Sequence, residues 1–305
     1  MNLLSTITSA LPSTTTSMPP SASPLPIISS NTSVLDIIHD FFWAPIIIPL
    51  GIVIYRFYRS HHLKVKEIKK NLDPDIEGFK TFYNDKIEES IRINPEDILK
   101  FVGRQGTSTI EHHLYICKIK DKIVGFIKFM VSKEHKLIFV AYIAIDKNDP
   151  VANKQCAIKM IKKMKKKYFK PNIASHIVTE IEEGGPRPYK TSLSQVIHRY
   201  SKEFNCYDFY IDSLYIQPQM PGTDTAAVKD KFMSLIYISR EALENKIMSK
   251  AKFLEIIEFI YFNIYGPSCN SVKDDCTKYN AYLRELLNLC SCTNEDIKLI
   301  SLGDN

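Results

Sequence analysis

The spacing of apolar residues changes repeatedly along the chain, and each change predicts a different element. From Phe41 to Tyr58 the residues are almost all apolar, and Arg56 is the only charge. At about 1.5 Å per residue, a helix over 34–58 just crosses a hydrocarbon core of about 30 Å. Trp43 and Tyr55 stand near its two ends, where interfacial aromatics belong. No Lys or Arg precedes the run, whereas Arg56, Arg59, Lys64, Lys66, Lys69 and Lys70 follow it. This bias predicts a single span with the N-terminus outside and the remainder on the cytoplasmic side. A cleaved signal peptide would need a basic start and a small-residue cleavage site, and the sequence has neither.

Beyond residue 72 the period becomes helical. Phe79, Phe82, Tyr83, Ile87 and Ile91 share one face after an Asp-Pro start. NPEDILKFV is a short second helix, with Asn94 as cap and Pro95 at its first position. The period then falls to two. HLYICKIKDKIVGFIKFMVS predicts two strands joined at 120–122, and LIFVAYIAI predicts a third with both faces covered. A helix follows in QCAIKMIKKMKKKYF, with Ala157, Ile161, Met164 and Tyr168 on its inner face. SHIVTEIEE is a strand, SLSQVIHRYSKEF a helix, and YDFYIDSLYIQP and KFMSLIYI the last two strands. The stretches 241–265 and 274–289 read as helices with apolar stripes.

Composition refines this division. Residues 1–33 are rich in Ser, Thr and Pro and bury too little to offset their ordering entropy. The 305 residues therefore divide into a disordered tail (1–33), a transmembrane helix (34–58), a basic linker (59–72), a folded domain (73–240) and a C-terminal helical extension (241–305). The net charge of +6 has two foci, the linker and the lysines of 154–170. The lysine-rich helix lacks stacking aromatics or a base-reading motif, so it predicts a solvated face and no nucleic-acid partner. His112 and His113 are expected to add surface polarity. The seven cysteines match no common zinc spacing, so reduced, buried thiols and no metal are expected.

The order of two helices, a meander, strand–turn–helix, strand–helix and a final hairpin resembles the GNAT N-acetyltransferase superfamily, as a divergent bacterial-type member with an N-terminal anchor. The likeness covers about residues 76–240 and rests on KIKDKIVGFIKFMV with Gly125, on FVAYIAIDKN before a helix, on VTEIEE followed by RYSKEF, and on YIQP before an apolar strand. It implies an α+β fold: a mixed, mainly antiparallel sheet between helices. It also implies acetyl-CoA as co-substrate and a primary amine as acceptor. Backbone groups of Ile143 and Ile145 would hold the pantetheine arm. The turn and helix start at Asn153, Lys154, Gln155, Cys156 and Ala157 would meet the pyrophosphate. Glu180 or Glu182 would be the base, because their alternation puts both on one strand face. Tyr200 would be the acid that protonates the departing thiolate.

One departure from the family stands out. The alignment puts Ala152 where a basic residue is usual and Gln155 where a Gly is usual. An inactive GNAT-like scaffold at the membrane is therefore the alternative. FLEIIEFIYFNIY is too apolar to stand alone, which makes the C-terminal helices an expected surface for packing on the domain or for oligomer formation.

Overall fold

A computed structural model describes residues 62–69, 73–87, 93–102, 109–182, 192–219, 231–271, 276–292 and 296–302. The chain divides into two units, Met1–Val53 and Ile54–Asn305, and every described residue belongs to the second. The Ser/Thr/Pro tail and the expected span at 34–58 lie outside the described residues. Among the described residues, no helix is long and apolar enough to cross a membrane.

The first part of this unit alternates as the sequence predicts. Strand β1 (Leu63–Ile68) precedes helices α1 (Ile76–Lys86) and α2 (Pro95–Phe101). Asn94 caps α2, its Oδ1 accepting the Glu96 N–H at 2.9 Å, with Pro95 at the first position. Strands β2 (Ile110–Ile119), β3 (Lys122–Ser132) and β4 (Leu137–Ile145) form the meander. They are followed by α3 (Pro150–Tyr168), β5 (His176–Glu182), α4 (Ser192–Glu203), β6 (Tyr207–Asp212), β7 (Ile216–Gln217) and β8 (Lys231–Ser239). The sheet order is β1-β2-β3-β4-β5-β8-β6-β10-β9, with β7 pairing β8. Among the described strands only β4 and β5 pair in parallel; the other neighbours are antiparallel. This is the mixed, mainly antiparallel sheet that the resemblance implies.

Two stretches differ from expectation. The basic segment after the apolar run carries β1, an edge strand paired to β2 from Leu63↔Ile119 to Ile68↔Leu114. The C-terminal part is not all helical either. It supplies strands β9 (Ile247–Ser249) and β10 (Asp296–Ser301), which close the far edge of the sheet. Between them run α5 (Lys250–Glu258), a π-helix (Phe259–Tyr265), a 3-10 turn (Gly266–Ser271) and α6 (Cys276–Ser291).

Two helical layers cover the sheet. Phe79, Phe82 and Tyr83 of α1 meet Phe126, and Phe253, Ile256 and Ile257 of α5 join Phe139 and Val178. On the opposite face Cys156, Met160 and Met164 of α3 pack against Ile127, Phe129 and Val140, while Ile197 of α4 meets Ile181 and Ile236. Gly125 lets α3 approach: a Cβ there would stand 2.4 Å from Cys156 Sγ and 3.0 Å from the Ala144 carbonyl.

Three lysines of α3 are partners of the β1 edge, whereas Lys162 and Lys166 are exposed as the sequence predicts. Lys159 Nζ donates to the Leu63 carbonyl at 3.1 Å, Lys163 Nζ to the Val65 carbonyl at 2.7 Å, and Lys167 Nζ to Glu67 at 3.0 Å. Their four-residue spacing matches alternate residues of β1. Two edge carbonyls that would otherwise invite another strand are thereby satisfied.

The two expected surface histidines are instead half-buried and partnered. His112 lies beside Lys128 on one face, and His113 is held between Glu67 and Tyr168 on the other. Cys269 and Cys276 form a disulfide, which corrects the expectation of reduced thiols there. Cys117, Cys156 and Cys290 are free and buried.

Candidate functional site

The site begins with a failure of pairing. β4 and β5 pair in parallel from Leu137↔His176 to Val140↔Thr179, and there the pairing stops. Opposite this point the register of β3 and β4 shifts, so that Lys128 faces Tyr142 while Phe129 faces Val140. The extra residue, Ala141, bends β4 away from β5. The burial pattern of β4 records the result: Leu137–Val140 are buried and Ala141–Ile145 only half-buried. Past the last pair, the two strands open a split through the sheet.

Alternation along β4 and β5 furnishes both sides of the split with different chemistry. Tyr142 and Glu180 face the layer of α1 and the C-terminal helices. Ile143 and Thr179 face the layer of α3 and α4.

On the first side, Glu180 is the centre. Tyr215 donates its hydroxyl to Oε1, and Tyr265 donates to Oε2 at 2.8 Å. Gln217 Nε2 donates to Oε2 at 3.1 Å and to the Tyr265 hydroxyl at 3.0 Å. Burial raises the Glu180 pKa, and these three donors oppose the rise without cancelling it. Burial, with the Glu180 charge added, holds the Tyr215 and Tyr265 hydroxyls in their protonated donor form. A carboxylate offers about four acceptor positions, so three donors leave one for an incoming N–H. Tyr142 stands next in this group, meeting Tyr83 edge-on with ring centres 5.9 Å apart.

The second side is a small apolar cavity with an open mouth. Val140, Ile143 and Thr179 form its floor, and Ile161, Met164, Ile197 and Tyr200 descend from α3 and α4. Tyr200 is buried and lies 6.5 Å from Phe204, ring centre to ring centre.

The residues expected from sequence are distributed unevenly over this arrangement. Glu180 and Tyr200 stand on opposite sides of the split. The side chain of Glu182 lies outside the described residues, as do those of Asn153 and Lys154. Ile143 lines the cavity, and Ile145 is half-buried one step further along β4. Helix α3 starts at Pro150 rather than near Asn153, because Asp149 Oδ1 accepts the Ala152 N–H at 3.1 Å and Pro150 suits the first turn. Asn153 through Ala157 are therefore helical, and the side chains of Cys156 and Ala157 are buried in the core. The buried Asp149 carboxylate sits at the helix end where an anion would be stabilised. His198 on α4 is held by Asp208 at 2.8 Å.

Sequence reading missed Gln217 and Tyr265 as partners of Glu180. Tyr215 and Gln217 belong to the quoted YIQP, but their hydrogen bonds to a residue 35 and 37 positions earlier have no local signal. Among the described residues, no group of three His, Cys, Asp or Glu side chains could hold a metal ion.

No family model matches the chain, and no curated protein matches it. Solved structures are similar over part of it. An acetyltransferase of the GNAT family from Streptococcus pneumoniae is 13% identical, with 57% of this chain and 98% of that one covered and a TM-score of 0.38. Diaminobutyrate acetyltransferase EctA from Paenibacillus lautus, in complex with its substrate and coenzyme A, is 14% identical over 59% and 98%, with a TM-score of 0.39. The loading GNATL domain of CurA from Lyngbya majuscula is 11% identical over 57% and 96%, with a TM-score of 0.37. These figures describe partial similarity of shape and assign neither an activity nor a ligand.

Proposed function

We propose that the chain is an acyl-CoA-dependent N-acyltransferase that moves an acyl group, acetyl in the simplest case, to a primary amine. One observation carries this reading: the split past Val140 and Thr179 puts a carboxylate with a raised pKa on one side and a tyrosine-lined apolar cavity on the other. In direct transfer, the amine nitrogen forms a bond to the thioester carbonyl carbon. Glu180 takes the amine proton. The C–S bond breaks, and Tyr200 gives a proton to the departing thiolate. Glu182 remains a second candidate base. Ile143, Ile145 and the start of α3 would carry the cofactor's arm and pyrophosphate.

Asp149 favours a second reading, a GNAT-like scaffold without turnover, because its charge opposes a pyrophosphate at the α3 terminus. Calorimetry on the full chain separates the two. Enzyme status predicts saturable acetyl-CoA binding and amine-dependent release of free CoA thiol. Asp149→Asn keeps a capping side chain but removes the charge, and is expected to tighten binding about two- to fivefold, roughly 0.3–1 kcal/mol. A folded chain that binds no acetyl-CoA at millimolar concentration would leave the scaffold.

We also propose a single N-terminal anchor at 34–58, with the folded unit on the cytoplasmic face. The Lys/Arg bias supports this orientation; the Cys269–Cys276 disulfide argues against it, since cytosolic thiols are kept reduced. Cys292, exposed after α6, reports the side. In intact cells it should resist an impermeant maleimide and react only after permeabilisation. Labelling before permeabilisation would reverse the orientation.

A further inference from the structure

The cavity behind the split is unusual in what its polar side chains do. Thr179 Oγ1 donates to the Val140 carbonyl at 3.0 Å, and Ser201 Oγ to the Ile197 carbonyl at 3.1 Å. Lys165 Nζ donates to the Phe204 carbonyl at 2.7 Å, and Cys206 Sγ reaches the same carbonyl at 3.4 Å. Four polar groups on the wall are thus engaged with backbone carbonyls, and apart from the Tyr200 hydroxyl the rest of the wall is aliphatic or aromatic. The Thr179 and Ser201 hydroxyls can still accept and the Lys165 amine has further N–H bonds, but the wall offers an amide-bearing arm or a purine few partners, and each polar group left unpaired there costs about 1–3 kcal/mol. A hydrocarbon has no such requirement, and apolar cavities bind hydrocarbons readily.

Position adds a direction. Ile143 belongs to the open part of the split, Val140 and Thr179 to its closed end, and Ile177 lies beyond that end among the paired residues. The cavity therefore continues the line of the split past the point where the strands join. A thioester seated in the split would have its acyl tail next to this space.

We propose that the cavity is a binding site for an alkyl chain, and that the acyl group carried by the donor is longer than acetyl. The inference rests on the acyltransferase reading, but the alkyl site can be tested apart from it. Each methylene fully buried is worth about a fourfold gain in affinity. Calorimetry on the full chain with CoA, acetyl-CoA and hexanoyl-CoA should give at least tenfold tighter binding for hexanoyl-CoA than for acetyl-CoA. Ser201→Phe fills the cavity and should reduce that advantage to less than twofold, with acetyl-CoA binding retained. If circular dichroism shows that variant misfolded, Cys206→Phe at the half-exposed end replaces it.

Equal affinity for the two thioesters overturns the proposal. So does an equal loss of CoA, acetyl-CoA and hexanoyl-CoA binding in the filled variant, which would make the cavity the seat of the cofactor arm. Octanoate covers the remaining case. If no CoA species binds, octanoate binding that Ser201→Phe abolishes would show an alkyl site fed by a free carboxylic acid, with the thioester source rejected. Failure of octanoate as well would remove the alkyl site itself.

Discussion

Glu180→Gln is expected to lower amine-dependent turnover by about 10²–10⁴-fold, the usual contribution of a positioned general base. The substitution keeps the shape and removes the proton acceptor. Acetyl-CoA affinity should change less than twofold, because Glu180 faces away from the cavity side of the split. The fold should tolerate it: the three groups that donate to Glu180 are two tyrosine hydroxyls and a glutamine amide, which can reorganise around a neutral partner. The pH dependence is a sharper check. A base works only when deprotonated, and burial raises the Glu180 pKa, so the acid limb of the rate should lie above the ordinary carboxylate range. Tyr265→Phe removes a donor that stabilises the charged form; the pKa rises further and the acid limb moves to higher pH. Full turnover in Glu180→Gln would eliminate this residue as the base and leave Glu182. A large loss of acetyl-CoA binding in the same variant would instead mean that Glu180 holds the two sides of the split together.

What the sequence revealed of this arrangement depended on how local each cause was. Asn94-Pro95 announces α2 because a cap acts within three residues. The double-sided apolar run of β4 predicted cover on both faces, and α1 and α3 provide it. Glu180 was legible because strand alternation alone decides which face it shares. The edge strand β1 was readable in principle: Leu63 and Val65 alternate with Lys64 and Lys66. Its lysines also fit the charge bias expected beside a span, and that bias gives no sign of a strand beneath them. Lys159 and Lys163 look solvated from sequence alone, since only the tertiary structure brings them to the carbonyls of β1, nearly a hundred residues earlier. Tyr265 was beyond sequence reading. Its partner is 85 positions away, and its own surroundings, FIYFNIY, look like simple apolar packing. The π-helix that carries it is a further warning, because such segments tend to occur where backbone regularity gives way to a site.

Lys128→Met is expected to stabilise the folded unit, and to do so only below about pH 10. Lys128 is buried on β3, with its amine 3.0 Å from His112 Nδ1 and 3.7 Å from Met130 Sδ. Burial lowers its pKa from 10.5 to about 7. It also drives His112 down to about 3, with Lys128 and His113 adding to the effect, so His112 is a neutral partner. Keeping the amine protonated inside the protein is about 5 kcal/mol harder than in the unfolded chain. Between pH 7 and 10.5 the unfolded chain holds a proton that the folded one has released, so stability rises with pH across this window. Below pH 7 both states are protonated, and the full penalty is present and flat. Methionine fits a similar volume without the charge but leaves His112 short of a partner, a loss of about 1–2 kcal/mol. The net gain is therefore about 3–4 kcal/mol near pH 7, shrinking toward zero as the pH approaches 10. Denaturant unfolding of both chains at pH 6, 7, 8, 9 and 10 measures it. A difference that does not change with pH would show that Lys128 keeps its proton throughout, stabilised by a charge or water that its burial conceals. A difference that narrows on the alkaline side would establish a neutral amine on the strand opposite Tyr142, next to the bend that opens the split.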